Sequence, residues 1–131
     1  MPTNGSVVLD TNIAIAFLSD DRSVRQHVAE TERIILPTVV LGELFYGARH
    51  SDRVEHNLGR VEELALNCDV LYVSIETARQ YGIIKSELRR KGTPIPNNDI
   101  WIAALTQQYE ATVATRDQHF DAVEHLEVVR W

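Results

Sequence analysis

Short apolar runs alternate with segments of helical periodicity along the chain. The apolar run at residues 7–9 ends at Asp10, and apolar residues then recur at helical spacing over 13–18, which predicts a strand, a turn and a helix. The same alternation predicts further strands at 33–36, 70–73, 111–114 and 126–129. It also predicts helices at 24–31, 38–48, 54–66, 75–90 and 98–109.

Strands separated by helices are typical of parallel pairing through right-handed crossovers. We therefore expect an α/β fold, a three-layer sandwich around a central, mainly parallel sheet of about five strands. No linker, repeat or low-complexity segment interrupts the sequence, so residues 1–131 are predicted to form a single domain. Ligands of such sheets bind outside the carboxyl ends of the strands, which makes the residues after each strand the functional candidates.

Composition excludes several classes of protein. Cys68 is the only cysteine, which rules out a disulfide framework and a cysteine-based zinc site and fits a reducing compartment. No apolar stretch approaches the roughly 20 residues of a membrane span, and residues 1–6 carry no signal-peptide pattern, so we expect a cytoplasmic protein without membrane contact. The formal net charge of −6 argues against broad nucleic-acid binding, unless acidic residues gather divalent cations that attract phosphate.

Acidic residues stand where the predicted elements meet. Asp10 and Asp117 each follow a strand, and Asp99 lies at the start of the helix after the break at 92–97. Each has an ordinary explanation: Asp10 as a helix N-cap, Asp117 as a turn residue, and Asp99 as a first-turn acid favoured by the helix dipole.

Glu43 lies inside a helix among apolar residues, with Gly42 and Gly47 on either side. Because each glycine costs a helix roughly 1 kcal/mol relative to alanine, we expect these two to accommodate the close approach of another group. A partly buried carboxylate also needs a cation or hydrogen-bond donors. The alternative is a Glu43 side chain turned to solvent at the margin of the apolar face.

Taken together, the four acids can face one cleft at the sheet edge. Converging carboxylates repel one another unless a cation lies among them. Oxygen ligand sets suit Mg²⁺ or Mn²⁺, which also bind phosphate oxygens. Such a metal orients and activates a water for attack on a phosphodiester, so the pattern predicts metal-dependent phosphodiester hydrolysis.

Four segments, in order, carry a resemblance to a known family. They are Val8-Leu9-Asp10-Thr11-Asn12, Gly42-Glu43-Leu44-Phe45-Tyr46-Gly47, Asn98-Asp99-Ile100-Trp101-Ile102-Ala103-Ala104 and Thr115-Arg116-Asp117-Gln118-His119-Phe120. Over almost its whole length the chain resembles a PIN-domain ribonuclease, and more narrowly a VapC-type toxin of a type II toxin–antitoxin system. Four motifs in family order are more specific than any one of them.

The resemblance implies an Mg²⁺- or Mn²⁺-dependent endoribonuclease whose catalytic and metal-binding residues are Asp10, Glu43, Asp99 and Asp117. It also implies that Asn12 and Thr115 orient a carboxylate or a metal-bound water. Their ordinary alternatives are a first-turn helix residue and a strand-end residue. The implied partners are RNA, a second copy in a homodimer, and a cognate antitoxin that blocks the active site, often with a basic side chain among the acids.

His119 departs from the family pattern, because many relatives carry a further acid at this position before Phe120. A histidine two residues after Asp117 can act as a general acid or base, although a solvated loop residue is the more common role. The other four histidines are expected at the surface: His27, His50, His56 and His125.

Basic residues cluster near the end of the fifth predicted helix, against the single acid Glu87. They are Arg79, Lys85, Arg89, Arg90 and Lys91. Such a cluster is typical of a solvated helix end that complements the dipole, or of a phosphate track that guides RNA to the acids, which Arg116 could extend. Trp101 is the ring best placed to stack on a base, although a core or dimer contact is its more common role.

Other functional classes fit less well. A phospho-acceptor signalling domain needs a lysine after its last strand, but the only lysines are Lys85 and Lys91. A haloacid-dehalogenase-like phosphatase needs an aspartate two residues after the first, where Asn12 stands. A non-catalytic PIN-like binding module is the alternative to the ribonuclease, and four intact candidate ligands argue against it.

Overall fold

The computed structural model describes residues 5–131, and the strands in this range form one five-stranded sheet. The strands are β1 (Ser6–Leu9), β2 (Arg33–Pro37), β3 (Asp69–Leu71), β4 (Thr112–Ala114) and β5 (Val128–Val129). They follow the order β3-β2-β1-β4-β5, and every neighbouring pair is parallel. The predicted α/β fold with a central parallel sheet is confirmed.

Helices connect and flank these strands. They are α1 (Thr11–Leu18), α2 (Arg22–Glu30), α3 (Thr38–Arg49), α4 (Val54–Leu66), α5 (Ile75–Lys91) and α6 (Asn97–Gln108). Helix α3 packs on α1 and α4, and α5 packs on α6. A 3₁₀ helix, Gln118–Ala122, follows β4 and was not predicted from the periodicity.

The sheet is covered on both faces. Val8 and Leu9 are successive residues of β1, so their side chains point to opposite faces, yet both are fully buried. The pair Ile35 and Leu36 in β2 repeats this arrangement. Burial on both faces explains why the strands are continuous apolar runs rather than alternating ones.

The third strand is shorter than the predicted range 70–73. Its last pairing joins Leu71 to Pro37 of β2, and α3 begins at the next residue, Thr38. Because β3 is an edge strand, it has no other neighbour to pair with beyond that point. Tyr72 and Val73 therefore lie outside the sheet and are exposed, although both are apolar.

Helix α5 has clear signals at both ends. The Ser74 hydroxyl accepts the backbone N–H of Thr77, and the Thr77 hydroxyl accepts the backbone N–H of Ser74, which forms a capping box. Gly92 ends the helix with a φ of 72°, a left-handed conformation that glycine adopts without steric cost. The chain then turns toward α6, which carries Asp99.

Within residues 5–131, none of the helices has the length and apolar character needed to cross a membrane. The expectation about a signal peptide concerns residues 1–6, and residues 1–4 lie outside the described part of the chain.

Leu36→Ala should lower the free energy of unfolding by about 2–5 kcal/mol, because truncation of this fully buried side chain leaves a cavity in the core. Leu66→Ala makes the same change at a side chain that is 86% exposed, and should alter that free energy by less than about 0.5 kcal/mol. Chemical denaturation of the two variants tests the difference. Similar losses in both would contradict this assignment of the core.

Candidate active site

The site begins where β1 and β4 end side by side. Leu9 pairs with Ala114, and the backbone N–H of Asp10 donates to the carbonyl of Ala114 at 3.0 Å. This pairing places the next residues, Asp10 and Thr115, against each other. The Thr115 hydroxyl donates to Oδ2 of Asp10 at 2.7 Å, and both residues are buried.

Thr115 also connects Asp10 to Asp117. Its hydroxyl oxygen accepts the backbone N–H of Asp117 at 2.9 Å. Asp117 in turn begins the 3₁₀ helix, since its Oδ1 accepts the backbone N–H of His119 at 2.9 Å. One buried hydroxyl thus orients two of the predicted acids.

The ordinary explanations for the acids are also correct in part. Oδ1 of Asp10 accepts the backbone N–H of Thr11 at 2.8 Å, so Asp10 is the N-cap of α1. Asp99 lies in the first turn of α6. Capping uses one oxygen of Asp10 and leaves the other for Thr115, so the structural and functional roles are compatible.

His119 brings Asp99 and Asp117 together. Its Nδ1 lies 2.8 Å from Oδ2 of Asp99 and 3.1 Å from Oδ1 of Asp117. One ligand atom from each of these three residues lies within 4.8 Å of the others. As expected of a solvated residue, 46% of the His119 side chain is exposed, yet its ring nitrogen faces the acids.

Glu43 lies at the flank of this group. Its Oε1 accepts the hydroxyl of Thr11 at 3.1 Å, which ties α3 to the residue that follows Asp10. Its side chain is half-buried and also lines a groove between α1, α3 and α4. Thr11 was not among the predicted site residues, and its position next to Asp10 was the only available signal.

Within the described residues, no group from another part of the fold approaches the glycines of α3. Both Gly42 and Gly47 are exposed, and nothing beyond their own helix backbone and chain neighbours lies within 4 Å of the position that a Cβ would occupy. Packing within the described chain therefore does not require a glycine at these positions.

Negative charge accumulates at the site. Burial raises the pKa of Asp10, an effect that the hydrogen bonds from Thr115 and Thr11 oppose and the charges of Asp99 and Asp117 reinforce. Burial also raises the pKa of Asp99, while its hydrogen bond with His119 lowers it. That same hydrogen bond raises the pKa of His119.

No lysine or arginine side chain in the described range pairs with the carboxylates of the four predicted acids. Buried carboxylates without such partners are costly unless a cation binds among them. The available donors are carboxylate oxygens, which fit a hard divalent ion such as Mg²⁺ or Mn²⁺, and one imidazole nitrogen.

Asn12 acts on the backbone rather than on a carboxylate. Its Oδ1 accepts the backbone N–H of Arg116 at 3.3 Å, which joins the first turn of α1 to the segment after β4. Asn12 therefore supports the loop between Thr115 and Asp117. Its predicted role toward a carboxylate or a water is not visible in these contacts.

The predicted RNA-binding residues differ in whether their side chains already have hydrogen-bond or ion-pair partners. Lys85 donates to Tyr81 and Asn97, Arg90 pairs with Glu87, and Lys91 bonds to Ala122 and Glu124. Within residues 5–131, the side chain of Arg89 is exposed and makes no hydrogen bond or ion pair. Glu124, an acid outside α5, thus offsets the charge of Lys91, which a count along α5 alone does not reveal.

Arg116 and Trp101 are held by neighbouring groups. The guanidinium of Arg116 bonds to Asp21 at 3.0 Å and to the carbonyl of Trp131 at 2.7 Å. The Trp101 ring is half-buried and stacks on Tyr81 with ring centroids 3.9 Å apart. A packing contact is therefore the role that the fold shows for Trp101.

Comparison with known proteins agrees with this geometry. The PIN domain family model matches residues 7–126. The chain is 28% identical over 129 residues to ribonuclease VapC1 of Haemophilus influenzae, covering 95% of this chain and 96% of that protein. It is 31% identical over 130 residues to the tRNA(fMet)-specific endonuclease VapC of Salmonella typhimurium, with the same coverage. The fold is similar to DNA-bound VapBC from Salmonella typhimurium, with a TM-score of 0.90, 30% identity, and 96% and 98% of the two chains covered.

Asp10→Asn should change how stability depends on pH in the presence of EDTA. Because the pKa of Asp10 is raised above its ordinary 3.8, the folded state binds this proton more tightly than the unfolded state. The contribution of Asp10 to the free energy of unfolding is therefore greatest below that value and is lost as pH rises through the raised pKa. The stability of Asp10→Asn relative to the unsubstituted chain should rise over this range, as measured by thermal unfolding.

Asp21→Asn provides a control of opposite sign. The backbone N–H of Val24 and the side chain of Arg116 lower the pKa of Asp21, so its stabilising contribution is present above 3.8 and is lost as pH falls. The relative stability of Asp21→Asn should therefore decrease as pH rises. A trend of the same sign in both variants would contradict the burial of charge at Asp10.

Proposed function

The chain belongs to the PIN-domain family, and within it to the VapC proteins, and on this premise we propose that it is a metal-dependent endoribonuclease. In this proposal it is the toxin of a type II toxin–antitoxin module, acts in the cytoplasm, and cleaves RNA phosphodiester bonds. Its similarity to proteins named ribonuclease and endonuclease supports the choice of RNA as substrate.

One observation carries the proposal: Asp10, Asp99 and Asp117 converge at the carboxyl edge of the sheet without a lysine or arginine to pair with them in the described range. A purely structural cluster of this kind would be costly, because its members repel one another and two of them are desolvated. Binding of a divalent cation would offset this cost, and the bound cation would in turn attract phosphate.

The residues of the site have two roles, cation binding and orientation of the carboxylates that bind it. We propose that Asp10, Asp99, Asp117 and Glu43 hold the cation, Mg²⁺ or Mn²⁺. When bound, such an ion acts as a Lewis acid toward the phosphodiester and lowers the pKa of a water that attacks it. Thr115 fixes the orientation of the Asp10 carboxylate through its 2.7 Å hydrogen bond, and Thr11 does the same for Glu43 at 3.1 Å.

Substrate RNA would approach over the exposed residues around α5. Arg89 is the predicted phosphate ligand that is free to bind within the described range, and Lys85 lies one helical turn away on the same face. Lys85 would have to exchange hydrogen bonds to the neutral Tyr81 and Asn97 for phosphate, whereas Arg90, Lys91 and Arg116 would have to leave carboxylate partners. We therefore place the phosphate track on Arg89 and Lys85 first.

A cognate antitoxin is the proposed inhibitor, and a homodimer is the proposed assembly. The similarity to a VapBC structure supports the antitoxin partner. Carboxylates that have no lysine or arginine partner within the described residues could accept a guanidinium of the antitoxin bidentately, which would displace the cation. The same uncompensated charge would then serve both catalysis and its inhibition.

Cleavage of RNA by the purified chain should require Mg²⁺ or Mn²⁺ and should fall at least about 100-fold in Asp99→Asn, because loss of a ligand should exceed the effect of losing a supporting residue. The same ions should raise the melting temperature of the unsubstituted chain and not that of the variant. The unsubstituted chain and Asp99→Asn must first be shown to fold by thermal unfolding in EDTA.

The substrate can be identified by sequencing cleaved cellular RNA ends after a brief pulse of the unsubstituted chain, with Asp99→Asn as the matched control. Dominant sites that disappear in the control would support a specific ribonuclease. Transfer RNA, including tRNA(fMet), is the first purified substrate to test, given the relative from Salmonella typhimurium. Soluble, folded protein that shows neither ion-dependent stabilisation nor new RNA ends would favour the non-catalytic binding module.

Thr115→Val should weaken Mn²⁺ binding by about 10–100-fold, the usual effect of removing a group that orients a metal ligand. The variant keeps the branched shape of this buried residue but removes the hydroxyl that bonds to Asp10. Thr112→Val, at the start of β4, the strand that Thr115 directly follows, lies outside these contacts and is the matched control. Titration calorimetry measures both affinities, and equal affinities would show that the hydroxyl does not support the site.

A further inference from the structure

The position of His119 is determined by the backbone around it. The backbone N–H of His119 donates to Oδ1 of Asp117, and the next residue, Phe120, is fully buried in the core. The 3₁₀ helix that holds both residues follows directly after the loop from β4. The imidazole is thus directed at the acids by a buried anchor and a capping bond, rather than by its own side-chain contacts alone.

The contacts of the ring nitrogen have the spacing of metal ligands. Nδ1 of His119 lies 2.8 Å from an oxygen of Asp99 and 3.1 Å from an oxygen of Asp117. Adjacent ligands around an octahedral ion at about 2.1 Å stand about 3 Å apart. A single ring N–H can point straight at only one of these oxygens, whereas a cation between the three atoms would contact all of them.

We propose that His119 is a ligand of the divalent cation through Nδ1, together with Asp99 and Asp117, and that this makes the site select Mn²⁺ over Mg²⁺. The proposal rests on the metal-dependent function proposed above and adds a residue and an ion preference to it. An imidazole nitrogen beside Asp99 and Asp117 thus changes the donor set from oxygen alone to oxygen and nitrogen.

The ion preference follows from the chemistry of the donor. Mg²⁺ binds oxygen ligands in proteins, and it keeps several of its waters rather than exchanging them for nitrogen. Transition-metal ions accept imidazole more readily, and affinity for a mixed site increases along the series that begins at Mn²⁺. One imidazole among carboxylates therefore favours Mn²⁺ relative to Mg²⁺ while the remaining ligands stay suitable for both.

Pulsed electron paramagnetic resonance of the Mn²⁺-loaded protein tests the ligand directly. The unsubstituted chain should show hyperfine coupling between Mn²⁺ and an imidazole nitrogen, and His119→Gln should lose it. His56→Gln removes another exposed histidine, on α4, and should keep the coupling. Thermal unfolding in EDTA checks that each variant is folded.

Calorimetric titration tests the ion preference with a second variant. In His119→Asp the ratio of Mn²⁺ affinity to Mg²⁺ affinity should fall about tenfold, because an oxygen donor replaces the nitrogen and the acids stay in place. An unchanged ratio would overturn the preference.

The possible failures are distinguishable. Mn²⁺ binding without nitrogen coupling in the unsubstituted chain, or coupling that persists in His119→Gln, would overturn the role of His119 and leave the carboxylate site intact. Absence of Mn²⁺ binding to the folded chain would overturn both this inference and the metal-dependent function on which it rests.

Discussion

The hydrogen bond from the Thr115 hydroxyl to the Asp10 carboxylate connects the core of this protein to its candidate active site. It joins residues 105 positions apart in the sequence, and it forms only because β1 and β4 pair in parallel with Leu9 opposite Ala114. Side chains on both faces of β1 are buried, so a shift of one residue would exchange the two faces. Core packing therefore fixes the position of Asp10.

Burial of Asp10 also has an electrostatic consequence. Two donors, the Thr115 hydroxyl and the Thr11 backbone N–H, stabilise the charged form of Asp10, but burial and the nearby acids still raise its pKa. The described chain supplies no lysine or arginine to compensate. The structure thus concentrates negative charge at the place where parallel strands leave an open edge, and an external cation or a partner's guanidinium would relieve the repulsion.

Local patterns predicted the fold well, and their errors have physical causes. Tyr72 and Val73 continue an apolar run but lie outside β3, because the neighbouring strand β2 ends and leaves them nothing to pair with. The basic cluster of α5 is less basic in space than along the chain, since Lys91 meets Glu124 from a distant segment. A count of charges within one helix cannot include acids that other elements bring to it.

The sequence by itself determined the alternation of strands and helices and the position of the acids at element ends, because both depend on periodicities and neighbours a few residues apart. Only the tertiary structure decided which side chains meet. Thr11 bonds to Glu43 from 32 positions away, and His119 reaches Asp99 from 20 positions away. Such contacts follow from strand order, register and helix packing, and the local pattern around His119 is equally compatible with a solvated loop. The physical reason is that a side chain's partners are set by where the core places the backbone, which no short stretch of sequence encodes alone.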